Sequence, residues 1–335
     1  QFQLPNGVKC IIADDGWIYV GCDDGNVYDL TGKLPRLAYE INENIDIYWL
    51  DINNGLLAVS DAKGNLTVIN SEDEEQSSVT SSGNSGWMVR CDDVGRVYHG
   101  HSGGVTCYYG WDGSVIWNQK TNGSVLFGWQ SDNHITAGTS RGDVVMFDRD
   151  GNKLASMSAN SGVFSCASSP DDSYIFAGDS SSSVYCFNKT GERLWKLATT
   201  CGSAYSMQYH KDKVYIVTTD GSLACIDASE AAIEKAKTGE VPSFKSIKAP
   251  TAAVAVIQTN TLESTTDLSV GVELVCVKEG AKLRVRVVSP GYNQNWNVQF
   301  PKNLRVLGQH YRVDSVHEAA QGEFYRSYGN IFKID

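Results

Sequence analysis

The chain has 335 residues, 41% of them hydrophobic and 20% charged, with a net charge of −11. That length and composition allow one large or two ordinary globular domains with real cores and exclude extensive disorder. No apolar run reaches the roughly 18 residues of a membrane helix, so no membrane partner is expected.

The charge is unevenly spread. Residues 1–250 carry 19 Lys and Arg against 31 Asp and Glu, whereas residues 270–335 carry 9 against 6. An acidic body repels phosphate backbones. Nucleic acid is therefore disfavoured there and stays open only for the basic C-terminal segment. No charged-then-apolar segment of the signal-peptide kind is found in the sequence, which starts at Gln1. Three of the nine cysteines, Cys107, Cys186 and Cys225, recur at one place in successive repeats (VTCYY, VYCFN, LACID). Such residues read as small buried apolar groups, which points to a reducing, cytoplasmic setting.

Taken in order, the chain begins with FQLPNGV, which looks like the end of one strand followed by the Asn-Gly turn into the next. Short apolar runs then alternate with turn-rich punctuation. The clearest unit is Val163 to Thr200, where four strand-length runs are separated by Pro, Asp, Ser, Gly and Asn. This is a four-stranded antiparallel sheet made of successive hairpins. It repeats. The second strand of each unit carries Ile18, Leu57, Val97, Ile135, Ile175 and Val214, spaced 39, 40, 38, 40 and 39 residues apart. The third carries Val27, Leu66, Val105, Val144, Val184 and Leu223, spaced 39, 39, 39, 40 and 39. A period near 39 held over six units marks a repeat architecture. The second strand closes on a small residue: Gly21, Ser60, Gly100, Gly138, Gly178.

The fold class expected is all-β: a β-propeller of six four-stranded blades over residues 1–228. The sixth unit stops after three strands, at Ile226, so Phe2–Leu4 is expected to supply its fourth strand and close the ring. Residues 229–238 read as a short helix, capped by Ser229 and ended by Gly239. Residues 249–269, rich in Ala, Thr and Ser, read as a linker, so that 229–269 joins two domains. Strands resume from Val270 to form a small basic β domain over 270–335. Strand count alone also allows two irregular extra blades and one eight-bladed propeller.

The stretches IYVGCDDGNVYDLTGK, WDGSVIWNQKT and YIFAGDSSSSVYCFNKTGERLWKL resemble repeats of the quinoprotein-dehydrogenase-like propellers, and SSPDDSYIFAGDSSSSVYCFN is similar to WD-repeat propellers. The resemblance covers residues 1 to about 228. It implies the propeller fold and a function built on surface loops. Of the Trp that ends the quinoprotein repeat, Trp117 and Trp195 remain. The vicinal cysteines of a quinoprotein cofactor site are absent, and so are the nucleophile-elbow and phosphate-loop patterns.

Propellers bind on a face, through loops from several blades. One face would offer Asp23, Asp24, Asp61, His101, Arg141, Asp179 and Asp220, a polar, mostly acidic recognition surface around the central channel. Asp and Gly are also what hairpin turns need. The opposite face carries Asp14/Asp15, Asp92/Asp93 and Asp171/Asp172. Asp148–Asn152 resembles the start of a calcium loop without its later ligand, and His99 and His101 share a strand face without a third ligand. No metal or cofactor is expected. In the C-terminal segment Trp296, Arg312 and Arg326 stand among alternating aromatic and arginine residues, the usual anchors of protein interfaces. The function read from the sequence is a non-enzymatic scaffold that presents a propeller face to a protein or peptide. A carbohydrate-binding propeller and a hydrolase with a channel-mouth carboxylate are the alternatives.

Overall fold

A computed structural model describes residues 3–14, 16–32, 34–53, 55–70, 76–81, 83–248, 271–319 and 323–334. Six sheets follow one another, each of four antiparallel strands hydrogen-bonded in chain order. Blade one is Val8–Asp14, Trp17–Cys22, Asn26–Asp29 and Arg36–Glu40. The first strands of blades two to six are Ile47–Asn53, Met88–Cys91, Val125–Gln130, Val163–Ser168 and Ala204–His210. From blade one to blade six, each first strand packs on the next, so the first strands line the axis.

The small residue at the end of the second strand has a direct cause. A Cβ added at Gly138 would lie 2.4 Å from Cγ1 of Val163, and one at Gly100 would lie 2.5 Å from Cγ1 of Val125. In each case the clashing atom belongs to the first strand of the next blade, which sits directly on the glycine backbone. At Ser60 the same approach becomes a 2.7 Å hydrogen bond from Oγ to the Gly86 carbonyl. The equivalent position in blade six is Val217, and it is 51% exposed. Leu223 is 46% exposed, although its five counterparts Val27, Leu66, Val105, Val144 and Val184 are fully buried. Val8 and Ile11 on blade one are also exposed. Among the described residues, blades six and one do not pack first strand on first strand as the others do. Cys225, expected to be buried like Cys107 and Cys186, is half-exposed on this outward face.

The fourth strand of blade six corrects the expected closure. It is Phe244–Lys248, paired with Ser222–Asp227 from Ser222↔Lys248 to Ile226↔Phe244. Gln3 and Leu4 lie outside any strand, and Phe2 is outside the described residues. The edge that Phe2–Leu4 was expected to fill is already taken, because the chain returns to it after the helix Glu230–Lys237. Ser229 caps that helix by accepting the Ala232 N–H, and Ile233 is buried in the core of blades five and six with Trp195. The propeller therefore extends to Lys248, and the expected linker 249–269 falls outside the described residues.

The five described strands from Val272 to Ile334 form a closed barrel rather than two further blades. Its strands are Val272–Glu279, Lys282–Val287, Asn297–Gln299, His310–Glu318 and Phe324–Ile334, with the last lying between the third and fourth. The third and fifth strands pair in parallel, which a chain of hairpins cannot produce. Leu274, Val285, Phe300, Tyr311 and Val313 fill its core. The barrel docks on blade one. Tyr328 lies 5.4 Å from the Trp17 ring, and Arg326 pairs with Asp14 at 3.1 Å.

Candidate functional site

The turn residues singled out in the sequence lie at one end of the propeller, and several are occupied in holding the turns. Asp61 is buried; it accepts the Lys63 and Asn65 N–H groups at 2.9 Å each and is met by the side-chain amides of Asn42 and Asn65. Asp179 is buried too. It accepts Ser181 N–H, Ser183 N–H and the Tyr185 hydroxyl at 2.7 Å. At His101, also buried, Nδ1 accepts Gly103 N–H and Nε2 meets Thr106 Oγ1. Asp24 is half-buried and takes Asn26 N–H and the Tyr28 hydroxyl. Burial alone would raise its pKa, but these hydrogen bonds outweigh that and hold the carboxyl below its usual value. Arg141 and Asp220 are exposed, and Asp220 pairs with Lys248 at 3.3 Å.

The same end carries a second set of residues. Five of the six first strands begin with a bulge, and the bulged residue is Lys9, Tyr48, Leu126, Phe164 or Tyr205. Trp87, one residue before the Met88↔Gly100 pair, holds this place in blade three. A bulge turns a side chain out of the sheet alternation. These six residues therefore stand at the start of the innermost strands, and none is fully buried. Tyr48 and Trp87 stack at 3.9 Å, 18° from parallel. Burial raises the pKa of the Tyr48 phenol, and Tyr205 is 43% exposed. Lys9 Nζ sits 5.6 Å over the Tyr48 ring, hydrogen-bonded to Asp23 and, at 2.7 Å, to Asp46. Burial opposes its charge, but the two carboxylates more than offset that and raise its pKa.

Below the mouth the axis is filled. Trp49 of blade two meets Phe127 of blade four edge-on at 5.1 Å. The Arg90 guanidinium lies 5.5, 5.0 and 5.7 Å from the rings of Trp49, Phe127 and Trp129. It donates from Nε to the Gly128 carbonyl and faces Asp51 at 3.7 Å. Burial pushes Asp51 up and Arg90 down, as expected for a charge pair removed from water. This end of the propeller thus carries a set of bulky residues beside a packed aromatic and arginine cluster on the axis. Reading the sequence for polar turns missed it. The signal was present: Lys9, Tyr48, Trp87, Leu126, Phe164 and Tyr205 recur at spacings of 39, 39, 39, 38 and 41.

At the opposite end two recesses of about 560 and 440 Å³ flank the turn at Lys189 and Thr190. His134 borders the smaller one. Ser131 Oγ and Asp172 Oδ2 both approach its Nδ1, at 3.1 and 3.3 Å, while its Nε2 is buried without a partner. A nucleophilic relay needs the hydroxyl and the carboxylate on different ring nitrogens. This cluster instead ties blade four to blade five. Among the described residues no three His, Cys, Asp or Glu side chains converge as a metal site. In the barrel Trp296 is partly buried 5.1 Å from Tyr325, and Arg312 lies 3.7 Å from Glu273. Arg326 is buried against blade one, where it pairs with Asp14.

Six four-stranded blades around a filled axis, with the connecting turns and bulges gathered at the ends, define a β-propeller repeat protein. A family model described as outer membrane protein assembly factor BamB matches residues 140–289, from blade four into the barrel. The computationally designed Ika8 protein is similar in structure, with a TM-score of 0.59 and 12% identity over 97% of this chain and 96% of that one. A chain of the mitotic checkpoint complex is similar with a TM-score of 0.61 and 16% identity, over 71% of this chain and 76% of that one. At such identities the likeness is one of fold. None of the curated proteins matches the chain. No helix among the described residues is long and apolar enough to cross a membrane.

Proposed function

We propose that this propeller is a non-catalytic interaction platform that receives a protein or peptide segment at the channel mouth. The observation that carries the reading is the set of bulky residues, half-buried Tyr48, Trp87, Leu126 and Phe164 and exposed Tyr205, held at one repeat position, in or just before the first strand, of five successive blades. Aromatic side chains half-exposed over a rigid, sealed floor are what interface hot spots are made of. Asp24, Arg141 and Asp220 border the same end as a polar rim, while Asp61, His101 and Asp179 keep the turns in shape. The two buried turn carboxylates already accept backbone N–H groups, which favours a peptide over a sugar that would need them as acceptors. Free thiols, most of them buried, suit a reducing compartment such as the cytoplasm.

The test is affinity purification from the native extract with the full chain and with a Trp87→Ala/Tyr205→Ala variant of matched thermal stability. A partner captured by the parent chain and lost by the variant supports the reading. A partner retained equally by both places recognition elsewhere.

A further inference from the structure

We infer that the segment received at this mouth is basic, an arginine- or lysine-bearing peptide; the inference rests on the reading of the mouth as the binding site. Three observations carry it. First, the chain already places one of its own cations there. The Lys9 ammonium lies over the Tyr48 ring and between Asp23 and Asp46. An aromatic face with carboxylates at its edge is the usual receptor for an ammonium or guanidinium group. Second, the rim beside it stays negative after Lys9 is satisfied. The carboxylates of Asp23, Asp24, Glu43 and Asp46 outnumber the ammoniums of Lys9 and Lys63. Asp24 is held ionised by Tyr28 and Asn26, so it does not neutralise itself near pH 7. Third, the surface that remains for contact beyond Lys9 is aromatic. Trp87 stacks on Tyr48, and Tyr205, at the same repeat position of blade six, is 43% exposed. A lysine or arginine suits both parts, with its aliphatic stem on the rings and its charged head at the carboxylates. The net charge of −11 would steer such a segment toward the protein from a distance.

Lys9 then has a definite role: it is an internal competitor for the same carboxylates. Removing it should tighten binding, whereas removing the rings should loosen it. A merely structural role for Lys9 would give the opposite sign.

The experiment is selection of a displayed random-peptide library on the full chain, followed by titration of the selected peptides against variants. Selected sequences are expected to be enriched in Arg and Lys. Lys9→Ala is expected to tighten them about threefold or more, and Trp87→Ala to weaken them about tenfold, the range of one cation–π contact and its packing. Asp46→Asn should weaken them, and raised salt should weaken them in every background. Melting curves on each variant separate loss of fold from loss of contact. Selected peptides that are neutral or acidic, yet need Trp87 and Tyr205, would overturn the basic class and leave the platform intact. So would Lys9→Ala weakening the basic peptides. Selection of nothing that depends on Trp87 and Tyr205 would remove the mouth as a binding site and this inference with it.

Discussion

A single residue type does different work at different places in this repeat. His99 and His101 lie two apart on one strand, their rings 5.6 Å apart, and both are buried. His101 has partners on both nitrogens, whereas neither nitrogen of His99 has one. Burial, with a smaller contribution from His101, pushes the His99 pKa down from 6.5 to about 3. The unfolded chain takes up a proton near pH 6.5 that the folded chain refuses until about pH 3. Stability should therefore fall as pH drops through this window, by up to about 1.4 kcal/mol per pH unit for this group. His101, also lowered by burial, adds in the same direction. Carboxylates such as Asp171, held near 2 chiefly by the Ser169 and Ser173 hydroxyls, act only below their ordinary 3.8. Urea denaturation between pH 6.5 and 4 thus reads the histidines against Asp51, whose carboxyl, raised by burial, acts in the opposite sense, so the His99 share is the difference between parent and variant. We expect His99→Leu to flatten that slope; an unchanged slope would show that His99 is not the group responsible.

At the scale of the strand, the end of the chain's repeats decides how blade six is finished. Its fourth strand, Phe244–Lys248, arrives after the helix Glu230–Lys237 and pairs with Ser222–Asp227. Deleting Gln1–Pro5 should therefore leave the melting temperature within a few degrees of the parent. Ending the chain after Asp227 should lower it far more, because the third strand of blade six loses its ladder and Ile233 leaves the core around Trp195. Thermal melts of the two truncated chains decide this, and a large loss in the first would restore the N-terminal segment as the closing strand. The period could not reveal the true strand. FKSIK is short and mostly exposed, and it is separated from its blade by an inserted helix. A break in the 39-residue rhythm looked like the end of the propeller.

At the scale of the molecule, the barrel and propeller are joined through blade one. Arg326 is 7% exposed at its side chain and pairs with Asp14, while Tyr328 packs on Trp17 with His317 5.0 Å away on the other side. Removing a buried guanidinium leaves a carboxylate with its charge partner gone. We expect Arg326→Ala/Tyr328→Ala to free the barrel from the propeller without unfolding either. The readout is a larger radius of gyration in solution scattering with an unchanged far-ultraviolet spectrum. An unchanged radius would mean that other contacts hold the dock.

The sequence by itself determined the blades. Hairpin turns and strand alternation are local, and their period survives in any context, so six sheets were legible, with the strand order of the first five and three strands of the sixth. It also carried two signals that polar-motif reading passed over. One was the bulky residue recurring from Lys9 to Tyr205. The other was Val217, standing where the other blades have Gly or Ser because no following blade presses on it in the same way. Only the tertiary structure decided what those signals mean. Burial is set by the neighbour and not by the residue, which is why Leu223 is exposed where Val184 is buried. Likewise Asp61 and Asp179 look like ligands in a sequence of turns. Only when the backbone folds back are their oxygens already filled by N–H groups, while Trp87 comes to stack on Tyr48 and Tyr205 stays exposed.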